Sequence, residues 1–329
     1  MFYFYYHDTI KFMREEFIYP NDTPVRLDTF LAKKLPEYSR AHIQKAIKNG
    51  KVLINNIPAK SSHLLVLNNR INIEIPPIEP LLLTPNNKIK LNIIYEDKDV
   101  LVIDKPAGLQ VHPGLWREKN TLSNALLAQY PKIKNVGDPI IDPEQVNLRP
   151  GLVHRLDKET SGLLIIAKNQ TSFLFLKNQF KNREIQKKYI ALVEGEITKD
   201  ADTINRPIGR SISTPAKRVV EGKNSKEAIT QFKVIERYKG YTLLEITPKT
   251  GRTHQIRVHL AWYGKPIIGD KKYRKNKTPE LSRHFLHASE LTVLLPNGKK
   301  KTFESPLPKE LSRYLKSLTN YKGVEKIIV

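Results

Sequence analysis

The stretch GLVHRLDKETSGLLIIAK, Gly151 to Lys168, changes character twice within eighteen residues. Apolar Leu152 and Val153 lead into six polar side chains in seven positions: His154, Arg155, Asp157, Lys158, Glu159 and Thr160. Ser161-Gly162 then turns the chain, and Leu163 to Ala167 is apolar again. A short apolar run of this kind reads as a buried strand, so the polar loop sits between two buried segments. A surface loop needs no fixed carboxylate there. Asp157 is therefore the first candidate for chemistry.

A second polar cluster, PKTGRTHQIRVH from Pro248 to His259, also follows a strand-like run and opens a helix. Thr253 is placed as its N-cap. Arg252, Thr253 and His254 lie at the helix N-terminus after Gly251, where free backbone N–H groups favour an anion. Arg257 follows one turn later. A carboxylate in one loop and a guanidinium on a facing helix make a natural pair, and arginine, always ionised, would keep Asp157 deprotonated. A buried salt bridge without catalysis fits the same spacing. A metal site fits it poorly: five residues from His254 to His259 turn a helix by about 500°, leaving the rings roughly 140° apart, unlike the i, i+4 zinc arrangement.

Composition points to a polyanionic partner. The 329 residues include 56 Lys plus Arg against 33 Asp plus Glu, a formal charge of +23. Such an excess attracts nucleic acid, although abundant Lys, Asn and Ile throughout the chain supply part of it as background. Cysteine is absent, which excludes disulfides, thiolate nucleophiles and Cys-based zinc sites and suits a cytoplasmic protein. No run approaches the roughly 20 apolar residues of a membrane-spanning helix. The opening MFYFYYHDTIKFMREEFIYP has neither a basic n-region nor a long apolar core, so it is a poor signal peptide. Met13 is the second of two methionines and a plausible start, with residues 1–12 a loose tail or outside the native chain.

Upstream, residues 25–75 form a small module behind an extension at 1–24. Leu27, Phe30, Leu31 and Leu35 make one helical stripe, ended by Pro36. Ile43, Ala46 and Ile47 make a second, with Ser39 as its N-cap and Gly50 at its close. Strand-like Val52–Ile54 and Ile71–Ile75 follow. The module carries nine basic residues against three acidic ones, a net of +6. Arg26, Lys33, Arg40, Lys45 and Lys48 on faces left over from the core suit phosphate contacts. Pro-rich 76–90 reads as a linker. Downstream, a hairpin is expected at Ile93–Tyr95 and Val100–Asp104. Further strands are expected at Leu163–Ala167, Tyr189–Val193, Ile229–Ile235, Tyr241–Thr247 and Leu291–Leu295. Helices are expected at Thr121–Gln129, Thr171–Asn182, His254–Trp262 and Lys309–Leu318. The pattern predicts an α+β domain at 91–320 with a mixed, mainly antiparallel sheet and flanking helices, then a tail at 321–329. The stretch Arg206 to Lys226, with six basic residues against one acidic, reads as a mobile loop that grips phosphates.

Two resemblances follow from these motifs. Arg26-Leu27-Asp28, Ser39-Arg40-Ala41 and Gly50–Asn55 resemble the S4 RNA-binding domain; Asn56 and Asn68-Asn69 depart from its usual Gly and Gly-Asp, at turns where Asn tolerates positive φ. His154-Arg155-Leu156-Asp157 with Thr160-Ser161-Gly162 resembles the signature of the RluA-type pseudouridine synthases. DKPAGLQVHPG (Asp104–Gly114), QKKYIALVEG (Gln186–Gly195) and TGRTHQIRVHL (Thr250–Leu260) match further motifs of that family. The context of Tyr189 and the domain order are most similar to its large-subunit synthase C branch, with Arg274 a departure where Gly is usual. The resemblance implies isomerisation of uridine within RNA, large-subunit ribosomal RNA first and transfer RNA as the alternative, by a monomer without cofactor, metal, membrane or protein partner. It implies Asp157 as the catalytic carboxylate, Tyr189 stacking on uracil, and Arg257 paired with Asp157. His154, Arg155, Lys187, Arg252 and His254 are implied as RNA contacts, Arg155 filling the space the base vacates. A non-catalytic assembly factor on the same scaffold would have no need of the carboxylate.

Overall fold

A computed structural model describes residues 13–36, 38, 40–75, 83–114, 118–138, 147–214, 216–274 and 281–318. The expected cap at Ser39, residues 1–12 and the tail at 321–329 lie outside them. The chain divides into two compact units, Met1–Pro80 and Leu81–Val329.

In the smaller unit the strands are β1 (Met13–Ile18), β2 (Val25–Arg26), β3 (Val52–Ile54), β4 (Ile57–Pro58), β5 (Leu64–Leu65) and β6 (Arg70–Ile75), with helices α1 (Leu27–Lys34) and α2 (Arg40–Lys48). The two helical stripes are both core: Leu27, Phe30 and Leu31 of α1 and Ile43, Ala46 and Ile47 of α2 pack on Val52, Ile54, Ile71, Ile73 and Ile75. The sheet runs β1-β6-β3-β4. Here the extension at 1–24 differs from expectation, because β1 pairs with β6 in register from Met13 opposite Ile75 to Ile18 opposite Arg70. The physical reason is that β6, with β3 on one side, would otherwise show an open edge of unpaired N–H and C=O groups. Asn56 and Asn68 take φ of 68° and 66°, as their turn positions suggest.

The larger unit is built on a nine-stranded sheet. Its strands include β7 (Ile93–Glu96), β8 (Val100–Lys105), β9 (Ser161–Ala167) and β10 (Gln186–Glu194). Three short strands follow, β12 (Ile208–Arg210), β13 (Arg218–Val220) and β14 (Lys223–Lys226), after β11 (Ala201–Asn205). The remainder are β15 (Ile229–Tyr238), β16 (Tyr241–Pro248), β17 (Leu286–Leu294) and β18 (Lys300–Glu304). The large sheet runs β11-β15-β16-β10-β17-β9-β8-β7, with β18 on β17. Among these pairs only β9–β17 is parallel, so the sheet is mixed and mainly antiparallel. Helices α3 (Leu122–Gln129), α4 (Gln170–Asn182), α5 (Gln255–Trp262) and α6 (Lys309–Lys316) complete the unit. One core gathers β8, β9, α4 and the buried face of α3; the other gathers β10, β16, α5 and Leu311 of α6.

Two expectations change here. Arg206 to Lys226 is not a bare loop: β12, β13 and β14 form their own sheet, seated on a small core of Ile208, Ala228 and Val258. The second half of the 76–90 linker belongs to the larger unit. Leu83 is buried, the Asn124 side chain donates to the Thr84 carbonyl at 2.7 Å, and Asn86 N–H donates to the Asn124 carbonyl at 2.9 Å.

Candidate active site

Gly162 explains how the polar loop comes to face a helix. It lies at φ 115°, and a Cβ there would meet the Ala288 carbonyl oxygen at 2.2 Å, so only glycine lets β9 run this close beside β17. The loop before it is tied at several points. The Lys158 carbonyl accepts from Gly108 N–H at 2.9 Å and from the Lys105 ammonium at 3.1 Å. The Glu159 carbonyl accepts from Arg283 at 3.2 Å, and the Thr160 hydroxyl pairs with His284 at 2.8 Å. Asp157 is thus presented by a rigid turn, closed by Thr160 N–H donating to the Asp157 carbonyl at 3.1 Å.

Arg257, on α5, meets it. Its Nη1 donates to Asp157 Oδ2 at 2.8 Å, while Nε and Nη2 form a bidentate pair with Asp270 at 2.7 and 2.9 Å. Asp270 is fixed in turn by the N–H groups of Lys272 and Tyr273, at 2.9 and 3.2 Å. Two-point anchoring at Asp270 leaves the guanidinium one direction, toward Asp157. Burial alone would raise the Asp157 pKa, but the charges of His254 and Arg257 with the Arg257 hydrogen bond hold it below the usual carboxylate range. His254 is itself pulled down to about 4, by burial first, so at neutral pH Arg257 is the cation that keeps Asp157 ionised.

His254 also corrects the helix start. The N-cap of α5 is His254, at φ 58°, not Thr253, and its side chain does not cap the helix. The left-handed turn carries the ring toward Asp157, with Nε2 3.9 Å from Oδ1. The Tyr273 hydroxyl accepts from Arg218 N–H at 3.1 Å and lies 2.7 Å from His254 Nδ1. With the hydroxyl donating to Nδ1, the neutral imidazole carries its proton on Nε2, facing the carboxylate.

These groups line a cavity of about 560 Å³. Asp157, Tyr189, Arg155, His154, Lys187, Arg252, His254 and Arg257 all reach its wall. Tyr189 is carried at a bulge where β10 shifts register against β17 between Lys188 and Tyr189, and burial, then the Asp157 charge, pushes its phenol pKa up. Arg155 is exposed and its Nη1 donates to His112 Nε2 at 3.0 Å. His112 Nδ1 lies 2.9 Å from the Pro113 carbonyl, which fixes the tautomer that accepts from Arg155. Burial lowers the Lys187 pKa; its ammonium lies 5.6 Å from the Phe180 ring centroid.

Other candidates have prior engagements. His154 stacks on Phe180 at 4.5 Å, and its Nε2 accepts from Ile165 N–H at 3.0 Å. Burial, with the charges of Lys187 and Arg149, takes its pKa to about 3. It therefore anchors β9 as a neutral ring. Arg252 Nε donates to the Glu227 carbonyl at 2.9 Å. In the smaller unit Lys33, Lys45 and Lys48 are exposed, whereas Arg26 and Arg40 both engage the buried Asp28. Sequence reasoning missed Asp270, Lys105, Arg283, His284 and Tyr273. Lys105 stands in the motif stretch Asp104–Gly114, before Pro106, and Asp270 follows Gly269; the turn residue beside each charge was the signal.

An ionised, anchored carboxylate at the wall of a basic cavity suits an enzyme that acts on a polyanion. Comparison with known proteins makes that specific. The pattern of the RNA pseudouridylate synthase family matches residues 99–262, and the S4 domain matches residues 25–71. A Bacillus subtilis protein named as an uncharacterized RNA pseudouridine synthase, YlyB, is 38% identical, covering 89% of this chain and 94% of its own. A ribosomal large subunit pseudouridine synthase D from Blochmanniella floridana is 37% identical over 90% of this chain and 95% of its own. Another D synthase, from Neisseria meningitidis, is 35% identical over 91% and 80%. The solved structure of human RNA Pseudouridylate Synthase Domain Containing 1 aligns with a TM-score of 0.55 at 25% identity, covering 72% of this chain and 99% of that one. The chain belongs to the RNA pseudouridine synthase family, of the RluA type, and is a pseudouridine synthase with an N-terminal S4 domain. Where these relatives carry a ribosomal name it is synthase D, rather than the C branch suggested by the context of Tyr189.

Proposed function

We propose that Asp157 is the carboxylate on which the isomerisation turns and that large-subunit ribosomal RNA is the substrate. The single observation that carries the first part is the asymmetry of Asp157. Oδ2 is held by Arg257 at 2.8 Å, while Oδ1 lies 3.9 Å from Nε2 of the neutral His254 ring. One oxygen fixes the group and the other remains for the reacting nucleotide.

In the reaction the N1–C1′ bond of uridine breaks, the uracil turns, and C5 bonds to C1′. The C5 proton leaves and N1 gains one, so nothing is oxidised or consumed. While the base is detached, an ionised carboxylate must engage the sugar or the base, and the ionised Asp157 at the cavity wall supports that role. The uridine must first leave its stack, at a cost of a few kcal/mol. Arg155, planar and steadied by His112, suits the space left behind; Tyr189 suits the face of the uracil. The ribosomal reading is supported by the names of the D synthases and by the S4 unit, whose exposed Lys33, Lys45 and Lys48 suit a large folded RNA.

The test treats large-subunit ribosomal RNA and bulk transfer RNA separately with the protein and maps pseudouridine in each. Product is expected in the ribosomal RNA, with Asp157→Asn reducing its formation by at least about 10³-fold while binding persists. Product in transfer RNA alone would overturn the substrate; Asp157→Asn working at a tenth of the parent rate would overturn the carboxylate.

A further inference from the structure

Arg183 is the residue after α4, a left-handed C-cap at φ 63°, and it lines the cavity. Its Nη2 meets the Glu227 carboxylate at 2.5 Å, and both side chains are about half exposed, at 47% and 53%. Arg252, on the same cavity wall, donates to the backbone carbonyl of that same residue at 2.9 Å. Two arginines from separate elements, the turn after α4 and the segment before α5, thus converge on one residue between β14 and β15. The Arg183 hydrogen bond first, then the charge of Arg183 and that of Arg252, hold the Glu227 pKa below the usual range. The carboxylate of Glu227 offers its anionic oxygen to Arg183, as a phosphodiester would, and its backbone carbonyl holds Arg252 close by, at the edge of a cavity that must admit a nucleotide.

The geometry points to Glu227 as an internal stand-in for an RNA phosphate, with Arg183 and Arg252 forming a phosphate site that the free protein keeps closed on itself. This rests on RNA as the substrate. A phosphodiester entering the cavity displaces the Glu227 side chain, and Arg183 exchanges one anion for another. Two consequences follow. The competing carboxylate weakens RNA binding by the worth of an exposed ion pair. The exchange also releases no counterion at Arg183, because that arginine is already neutralised within the protein, so this contact adds little to the salt dependence.

The experiment measures binding of a single-stranded uridine-containing RNA across a salt titration for the parent, Glu227→Gln, Arg183→Met and the double variant. Glu227→Gln should bind about 2–5-fold more tightly at low salt, with log K against log[salt] steeper by roughly 0.7. In the Arg183→Met background, both changes should vanish. An unchanged affinity and slope in Glu227→Gln would overturn the proposal. So would a gain of equal size in the Arg183→Met background, since that gain would come from net charge alone. Failure of the parent to form pseudouridine in any RNA would instead overturn the reading beneath it.

Discussion

Asp28 in the smaller unit and Asp157 in the larger are both carboxylates clasped by arginine, and they differ in what is left over. Asp28 is fully buried. Its Oδ1 accepts from Arg26 at 3.1 Å, and its Oδ2 accepts from Arg26, Arg40 and Gln44 at 3.1, 2.9 and 2.6 Å. The Arg26 hydrogen bond is the largest reason its pKa falls well below the carboxylate range. Asp157 keeps 18% of its side chain exposed and has one oxygen outside hydrogen-bonding distance of His254. A saturated carboxylate ties β2, α1 and α2 together; an unsaturated one is held ready for a ligand. On the proposed reading, the same residue pair serves stability or chemistry according to how many donors surround the acid.

That contrast can be broken by exchanging the roles, beginning with the largest effect. Arg257→Met removes the cation from Asp157 and strands Asp270. If Asp157 is the catalytic carboxylate, product formation should fall by about 10²-fold or more, as expected for a group that positions and charges it. Because Arg257 lowers the Asp157 pKa, its loss raises that pKa, and the acid limb of the pH–rate profile should move to higher pH. A profile of unchanged shape would mean that Arg257 does not act through Asp157.

Asp28→Asn should do the reverse. Removing the charge leaves Arg26 and Arg40 facing a neutral amide. The smaller unit should lose about 2–4 kcal/mol of stability, read by denaturant unfolding, while single-turnover chemistry at saturating enzyme stays within a few-fold of the parent. The pH dependence sharpens this. The folded pKa of Asp28 is depressed, so its contribution is complete above the unfolded value near 4 and is lost as the pH falls below it. A parent unit as stable at pH 3 as at pH 7 would contradict the assignment. The histidines act in the same sense at higher pH. His154 and His284 are held at about 3, so the unfolded chain binds more protons below about 6.5 and acidification destabilises the larger unit.

The smallest effect concerns cations that meet no such acid among the described residues. Replacing both Lys45 and Lys48, exposed on α2, by Ala should weaken RNA binding a few-fold and flatten the salt slope by about 0.7–0.9 per lost phosphate contact. Stability should hardly move. An unchanged slope would remove α2 from the RNA contacts.

Much of the fold was legible because local rules agreed with the tertiary result. The stripes at Leu27–Leu31 and Ile43–Ile47 are core since an amphipathic helix has one face to bury. The hairpin at β7 and β8 formed where short apolar runs flank Asp97, whose side chain accepts from the N–H groups of Asp99 and Val100. The 206–226 segment was misread because its apolar partners, Ala228 and Val258, lie outside it, and a three-residue strand leaves no periodicity to detect. The cap of α5 was misassigned because a non-glycine left-handed residue, His254, has no propensity signal; its neighbours hold it there.

By itself the sequence determined the two-unit order, the helices and most strands, which follow from periodicity and turn chemistry, while the Asp157–Arg257 pair was named by the family motifs. The tertiary structure decided what those groups can do. Asp270 aims Arg257, Lys105 and Arg283 clamp the carbonyls beside Asp157, and Glu227 occupies Arg183. Each of these is a contact between residues 13 to 124 positions apart. Only folding brings such partners within 3.5 Å, where the number and direction of donors fix the charge and reach of a carboxylate.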